Sequence, residues 1–246
     1  MARIFLAPST QEYNEYYSGG SEEFHMNQLA DALAPYLTAS GIRYTRNNPE
    51  GNVISSVGLA NQGTYDLYLS LHSNAAPEGS EGTLQGPDIY YFPTSVKGRY
   101  AAQLIEENLK EVYPTPELVN IIPSTYYYEL RRSRAPAVLV EVAYHDNPED
   151  AAWITQSTDK IARALAMAVS EFLNVPFIEP SEVQEGTVKL TSGTLNIRSA
   201  PSTNAEIIGS ANNGDRVLIL QALPEWYRIS LDGHHGYASS RFIVPD

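Results

Sequence analysis

Over residues 1–175 the apolar positions switch repeatedly between a short continuous run and a helical period. Arg3–Ala7 is an apolar run of strand length, and Glu22–Ala39 then places Met26, Leu29, Ala30, Leu33 and Leu37 on one helical face. Ser21 stands as its N-cap and Gly41 lies just beyond its end. Ile42–Thr45 reads as a second strand and Val53–Asn61 as a weak helix. Asp66–His72 is almost continuously apolar, the pattern of a strand buried on both faces, and Gly82–Phe92 reads as another strand. Ser95–Val112 is an amphipathic helix built around Ala101, Leu104, Ile105 and Leu109, and Ala137–Val142 is the most apolar strand of the chain. Asn147 and Pro148 open a closing helix through Ala151, Ile154, Ile161, Ala164, Leu165, Ala168 and Phe172, with Asn147 as cap and proline at the first helical position. Strand and helix in alternation predict an α/β fold, a mostly parallel sheet with helices on both faces.

The pattern changes at residues 176–184, a Pro- and Glu-rich stretch with neither period, which marks a linker. From 185 to 246 short strands recur: Thr187–Lys189, Leu195–Arg198, Glu206–Ser210, Arg216–Gln221, Trp226–Ser230 and Gly236–Ala238. Asn213-Gly214-Asp215 and Asp232-Gly233 separate some of them as turns, which predicts a small all-β barrel. The expected organisation is therefore a domain at 1–175, a linker, and a second domain at 185–246.

Composition narrows the chemistry. With no cysteine among 246 residues, disulfides and thiolate metal sites are excluded, so a transition metal must be held by His, Asp, Glu or weaker amide oxygens. The formal net charge of −13, without a Lys/Arg cluster, argues against a nucleic-acid partner. No stretch approaches a membrane span. The apolar part of Met1–Pro8 is too short for a secretory leader and reads as a first strand, so either the protein reaches its target without an ordinary leader or the chain is trimmed. The sequence leaves the oligomeric state open.

Two strands end on chemistry-bearing residues. In an open α/β sheet the carboxyl ends of parallel strands form one rim where ligands bind, so His72 and Glu141 should meet there. An imidazole can hold a metal, and a carboxylate closing an apolar strand is costly unless a metal, a hydrogen bond or a function retains it. Desolvation would raise the Glu141 pKa and a nearby cation would lower it, which suits a group that takes and returns a proton.

At these residues the chain resembles two known modules. Ser70-Leu71-His72-Ser73-Asn74-Ala75, Glu23 four residues before Asn27, and Val140-Glu141-Val142-Ala143-Tyr144 ahead of Asn147 resemble the zinc-dependent N-acetylmuramoyl-L-alanine amidases of the type-3 family. That resemblance implies a phosphorylase/hydrolase-like fold and cleavage of the bond between N-acetylmuramic acid and L-alanine in peptidoglycan, at the cell wall outside the cell. It makes His72 and Glu23 zinc ligands, Glu141 the general base and Asn74 a substrate contact. Leu195-Asn196-Ile197-Arg198-Ser199-Ala200-Pro201, Ile208-Gly209, Trp226-Tyr227 and Gly236-Tyr237 resemble a bacterial SH3-like domain, a class that commonly binds cell-wall peptide.

One departure bears on the metal. Where the family carries its first zinc histidine in an Asp-Pro-Gly-His-Gly-Gly loop, this chain has Ala7-Pro8-Ser9-Thr10-Gln11-Glu12. The third ligand is open between His145, four residues past Glu141, and Gln11 or Thr10 in that loop, whose oxygens are weaker donors than imidazole. His25 lies two residues beyond Glu23, about 200° around the helix, and should diverge from it. Glu23 also suits the first turn through the helix dipole, and Glu22 answers the same description.

Tyr126–Tyr128 with Arg131, Arg132 and Arg134 form either a half-buried edge strand with a solvated basic turn or a rim for a carboxylate-bearing peptide, with Tyr128 and Arg131 as its contacts. Trp226, Tyr227 and Tyr237 line a wall-binding groove of the barrel or fill its core, and His234-His235 read as an exposed turn. The alternative function is a degenerate domain without metal that binds the wall or regulates.

Overall fold

The computed structural model describes residues 2–180, 184–223, 225–231 and 234–246. It divides into two compact units, Met1–Ile178 and Glu179–Asp246. Within the stretch read as a linker, 181–183 lie outside the described residues, as does the Asp232-Gly233 turn.

The first unit is built on six strands: β1 (Arg3–Pro8), β2 (Arg43–Arg46), β3 (Leu67–Asn74), β4 (Asp88–Tyr91), β5 (Asn120–Pro123) and β6 (Ala137–Tyr144). Their order is β2-β1-β3-β6-β4-β5. Neighbours are parallel except β4, which runs antiparallel to β6 and carries β5 parallel to itself. The helices are α1 (Glu22–Ala39), α2 (Val53–Ala60), α3 (Val96–Lys110), α4 (Tyr128–Arg132), α5 (Pro148–Gln156) and α6 (Thr158–Phe172).

Alternation along the central strands decides which face holds the chemistry. Ile4 and Leu6, Leu67, Leu69 and Leu71, and Val138, Val140 and Val142 join the large apolar cluster with residues of α1, α3 and α6. Phe5 and Ala7, Tyr68, and Ala137 and Leu139 face a smaller cluster with residues of α2 and α4. Continuing the period of two, Ser70 and His72 on β3 and Glu141 on β6 fall on that second, more thinly covered face. The large cluster stabilises the unit by burial of whole side chains: Leu71 is fully buried, and truncation to alanine is expected to cost about 2–5 kcal/mol.

Three elements differ from the sequence reading. The closing helix is broken at Ser157 into α5 and α6. There Thr155 and Thr158 turn their hydroxyls back onto the carbonyls of Ala151 and Ile154, local bonds that compete with the helix ladder. The strand expected from Gly82 shrinks to Asp88–Tyr91, because Gly82 and Gly86 sit at φ 72° and 100° in a loop. A Cβ on Gly86 would lie 2.4 Å from the Leu118 carbonyl oxygen, so only glycine fits that turn. The tyrosine–arginine segment forms the short helix α4 instead of an edge strand.

That loop is held from β6 onward. Asp146 accepts the N–H groups of Ala76 and Gly82, and buried Asp150 accepts those of Gly86 and Tyr144 and the Tyr113 hydroxyl. Asn147 caps α5 as expected and also donates to the Gly82 carbonyl, fixing the rim next to Asn74.

The second unit contains β7 (Gln184–Val188), β8 (Leu195–Arg198), β9 (Ile207–Ala211), β10 (Arg216–Leu223), β11 (Trp226–Leu231), β12 (His234–Ser239) and β13 (Ile243–Pro245). They form one sheet, β13-β7-β10-β11-β12-β8-β9, antiparallel throughout. Its core is Val188, Leu195, Ile197, Ala211, Val217, Ile219, Ile229, Ala238 and Ile243.

Candidate active site

The site lies at the carboxyl rim of β1, β3 and β6. His72 and Glu141 are register partners across β3 and β6, and Asp88, at the start of antiparallel β4, is the partner of Glu141 on its other side. The expected meeting of His72 and Glu141 is therefore set by the backbone ladder itself.

The carboxylate facing His72 comes from the head of α1, and it is Glu22. Its Oε1 lies 2.8 Å from His72 Nδ1, while Asn14 donates to Oε2 at 2.6 Å. Ser21 caps the helix by accepting the Phe24 N–H, and Glu22 shares the buried face of Met26, Leu29, Leu33 and Leu37. Glu23, the expected ligand, is turned about 100° away, half-exposed at the helix surface, where its backbone carbonyl accepts from Asn27. The helical period carries the reason: Glu22, four residues before Met26, is in phase with the core stripe.

Gln11 stands where the missing histidine's loop arrives. Its Nε2 is 3.4 Å from His72 Nδ1 and 3.5 Å from Glu22 Oε1, and its Oε1 accepts from Tyr13 and Asn14. His145, the other candidate, is buried elsewhere: Nδ1 lies 3.0 Å from the Ser73 carbonyl oxygen and 3.1 Å from its hydroxyl, and the ring stacks on Tyr16. It clasps the loop before α1 to the rim, with the Tyr17 N–H on its carbonyl. His25 diverges as expected, with Nε2 2.8 Å from the Gly19 carbonyl oxygen.

Electrostatically the three groups are interdependent. Burial works against the Glu22 carboxylate, but the hydrogen bond and charge of His72 and donors from Asn14 and Ser9 bring it below its usual range. Burial alone would depress the His72 imidazole; Glu22, Glu141 and Glu129 outweigh it and lift it to about 9. Desolvation pushes the Glu141 carboxyl up to about 8, His72 opposes, and the charges of Glu22, Asp88 and Glu129 add to the rise. Glu141 Oε2 is buried and has no hydrogen-bond partner. Asp88 is raised by burial against donors from Asn120, Tyr144, Tyr90 and Asn74.

Sequence reasoning missed Glu129. On α4 it is buried, accepts from the Ser70 hydroxyl at 3.2 Å, and lies 3.8 Å from His72 Nε2. Of the expected substrate contacts, Asn74 ends β3 beside Asp88, Tyr128 packs half-buried against the smaller cluster, and Arg131 is exposed on α4. Arg134 instead ties α2, bonding to the Asn61 carbonyl. In the second unit Trp226 lines a cavity of about 560 Å³ with Lys189, Arg198, Arg241 and Phe242, whereas Tyr227 packs on the core and Tyr237 pairs with Arg198 in the sheet. His235 is exposed.

Among the described residues no group of three or more His, Cys, Asp or Glu side chains is arranged to hold a metal ion. His72 Nδ1 and Glu22 nonetheless converge, and the Gln11 amide touches both. That contact is made by Gln11 Nε2, while its Oε1 accepts from Tyr13 and Asn14, so two donors suited to a divalent cation converge and a third would require the Gln11 amide to turn its oxygen inward.

A part-buried imidazole paired with a buried carboxylate, with a second buried carboxyl beside them on the rim of a mostly parallel sheet, is a layout suited to hydrolysis. Residues 9–171 match the family described as N-acetylmuramoyl-L-alanine amidase, and residues 193–244 match the bacterial SH3 domain. The chain belongs to that amidase family. An uncharacterized protein of Clostridium perfringens is 26% identical over 213 residues, covering 81% of this chain and 63% of that protein. The N-acetylmuramoyl-L-alanine amidase LytC of Bacillus subtilis is 30% identical over 171 residues, 66% of this chain and 34% of LytC. The chain thus spans less than two thirds of the length of either relative. Among solved structures, the amidase AmiC2 of Nostoc punctiforme superposes with a TM-score of 0.62 at 18% identity, over 70% of this chain and 97% of that one. An N-acetylmuramoyl-L-alanine amidase from Clostridium difficile 630 gives 0.62 at 21%, with the same coverage. Both show the fold.

Proposed function

We propose that the protein is a peptidoglycan amidase that hydrolyses the bond between N-acetylmuramic acid and the L-alanine of the stem peptide, acting at the cell wall. The observation that carries this reading is the buried Glu141 carboxyl, with Oε2 unpartnered, in register with His72 at the rim. Pushed up to about 8, it holds a proton more readily than a surface glutamate and can both take one from an attacking water and return it to the leaving nitrogen. Asp88, on the other side of Glu141, keeps that edge of the site acidic.

His72 and Glu22 would hold a zinc ion, with Gln11 as a weaker third donor once its amide turns, exchanging the Tyr13 and Asn14 hydrogen bonds of its oxygen for the metal. Zinc supplies the Lewis acid that polarises the scissile carbonyl and lowers the pKa of water. The protein's own part is to orient: Asn14 and Ser73 fix the Glu22 carboxylate from either side, and Asn74 and the half-buried Tyr128 border the site where substrate arrives. The bacterial SH3 unit would tether the enzyme to the wall, with Trp226 as a contact, and raise the local concentration of substrate.

The test is chemical. Purified peptidoglycan incubated with the protein should yield new amino-terminal alanine without new reducing sugar ends, and the metal content should approach one zinc per chain. New glycan ends, or new amino termini other than alanine, would refute the assignment. A second reading, a metal-free wall-binding module, draws on the self-satisfied network in which Gln11 and Asn14 already occupy Glu22. A chain that binds wall, carries no zinc and releases no alanine would establish that reading instead.

A further inference from the structure

Glu129 has no part in the reading above, yet it is a carboxylate with 4% exposure, on a helix of five residues, against the functional face of the sheet. Burying a carboxylate without partners is costly, so its partners state what it is for. They are two residues of one strand. Ser70 and His72 are separated by a single position on β3 and therefore project to the same face, where one carboxylate oxygen can meet both. Ser70 Oγ donates to Glu129 Oε1 at 3.2 Å, and the same oxygen is 3.8 Å from His72 Nε2. Leu130, buried in the cluster of Phe5, Tyr68 and Leu139, anchors α4 so that Glu129 is delivered to this spot. A cavity of about 30 Å³ lies alongside, lined by His72, Glu129, Ser70, Thr10 and Asn47, and has room for one bridging water.

The two ring nitrogens of His72 thus face different carboxylates, Nδ1 toward Glu22 and Gln11, Nε2 toward Glu129. We propose that Glu129 is a positioning residue for His72: held by Ser70, it receives the Nε2–H through a water in that cavity, so that when Nδ1 gives up the proton it shares with Glu22 its lone pair is left for the metal, strengthening the donor on which metal binding depends. The inference rests on the zinc reading given above. A ligating imidazole that gives its other N–H to a carboxylate is fixed in tautomer and made more basic. The device matters more in this chain than in a site with two histidines, because the loop that would bring the other imidazole carries Gln11, a weaker donor. Among the described residues Glu129 is the carboxylate within ion-pair distance of His72 Nε2.

The experiment compares zinc affinity, by competition with a chromophoric chelator, for the 246-residue chain, Glu129→Ala, Glu129→Gln and Ser70→Ala, with activity measured at limiting and at saturating zinc. Glu129→Ala should bind zinc about 10–100-fold more weakly. Its activity should recover as zinc is raised, a rescue that general damage to the fold would not allow. Glu129→Gln, which keeps an acceptor oxygen without charge, should fall between it and the wild type. If Glu129→Ala fails to fold, Glu129→Gln and Ser70→Ala decide. Folded variants with wild-type zinc affinity overturn the assignment of Glu129 alone, whereas a wild type that takes up no zinc overturns the zinc reading and this inference with it.

Discussion

Replacing Glu141 by glutamine separates what the carboxyl does from the space it fills. Glutamine preserves the volume of a side chain that is 7% exposed, so the fold should survive while the proton carrier is lost. Loss of a general acid–base group lowers kcat by about 10²–10⁴-fold, or roughly 2.7–5.4 kcal/mol of barrier. Stability should move the other way. In metal-free protein Glu141 titrates at about 8 against 4.5 in the unfolded chain, so between those values the folded state binds more protons than the unfolded one and stability falls as pH rises. Full linkage over that interval would amount to roughly 5 kcal/mol. His72 offsets part of it, because in the variant its imidazolium loses a neighbouring charge, leaving about 1–3 kcal/mol. Chelator-treated Glu141→Gln should therefore melt higher than the wild type at pH 8 and close to it at pH 4.5. The assays are release of amino-terminal alanine from a soluble muropeptide and thermal melting at the two pH values. A folded variant with wild-type kcat would remove Glu141 from the mechanism; one that is less stable than the wild type at pH 8 would refute a desolvated carboxyl.

Glu22→Ala should release zinc and activity together, as should His72→Ala, whereas Glu23→Ala should change folding stability by less than about 0.5 kcal/mol and retain the metal, read by denaturant unfolding and by metal analysis after gel filtration. Gln11→His should bind zinc at least about tenfold more tightly than the wild type and Gln11→Ala more weakly, measured by chelator competition; equal affinities would exclude Gln11 as a donor. A fragment ending at Ile178 should fold and cleave soluble muropeptide with unchanged kcat/KM but sediment poorly with intact walls, and Trp226→Ala in the full chain should reproduce only the sedimentation defect.

The order of elements was legible because long amphipathic segments declare their period: Glu22–Ala39 is found as read, and every strand expected after residue 185 has its counterpart in β7–β12. Short elements were not. A helix of five residues makes little more than one turn, too little for a stripe, so Tyr126–Arg134 was open between an edge strand and a substrate rim, and with α4 went Glu129. Tertiary bonds, here Asp146 and Asp150 holding glycine amides, shortened the strand before Tyr91 in a way no local pattern states.

The site divides along the same line. The meeting of His72 and Glu141 follows from two strand ends and the rule that parallel sheets gather ligands at one rim, which is why it could be read without a structure. The choice of Glu22 over Glu23 was also written in the chain, for Glu22 extends the stripe Met26, Leu29, Leu33, Leu37 by one more turn and Glu23 does not. Motif spacing alone pointed to the neighbour, whereas helical phase brings Glu22 to His72, which is the ground for proposing it as the ligand. His145 against Gln11 is different: both lie on loops leaving the rim, and neither sequence distance nor residue type says which loop folds inward. Packing separates the two, since the Tyr16 ring occupies the face of His145 and the Ser73 carbonyl and hydroxyl lie at its Nδ1, whereas the Gln11 amide lies against His72, which is what supports proposing Gln11. If zinc binds as proposed, a site whose strong ligands are set by regular elements and whose weak one is set by a loop should lose metal first through the loop. The Gln11 variants should therefore alter zinc affinity while leaving the pairing of His72 with Glu22 intact.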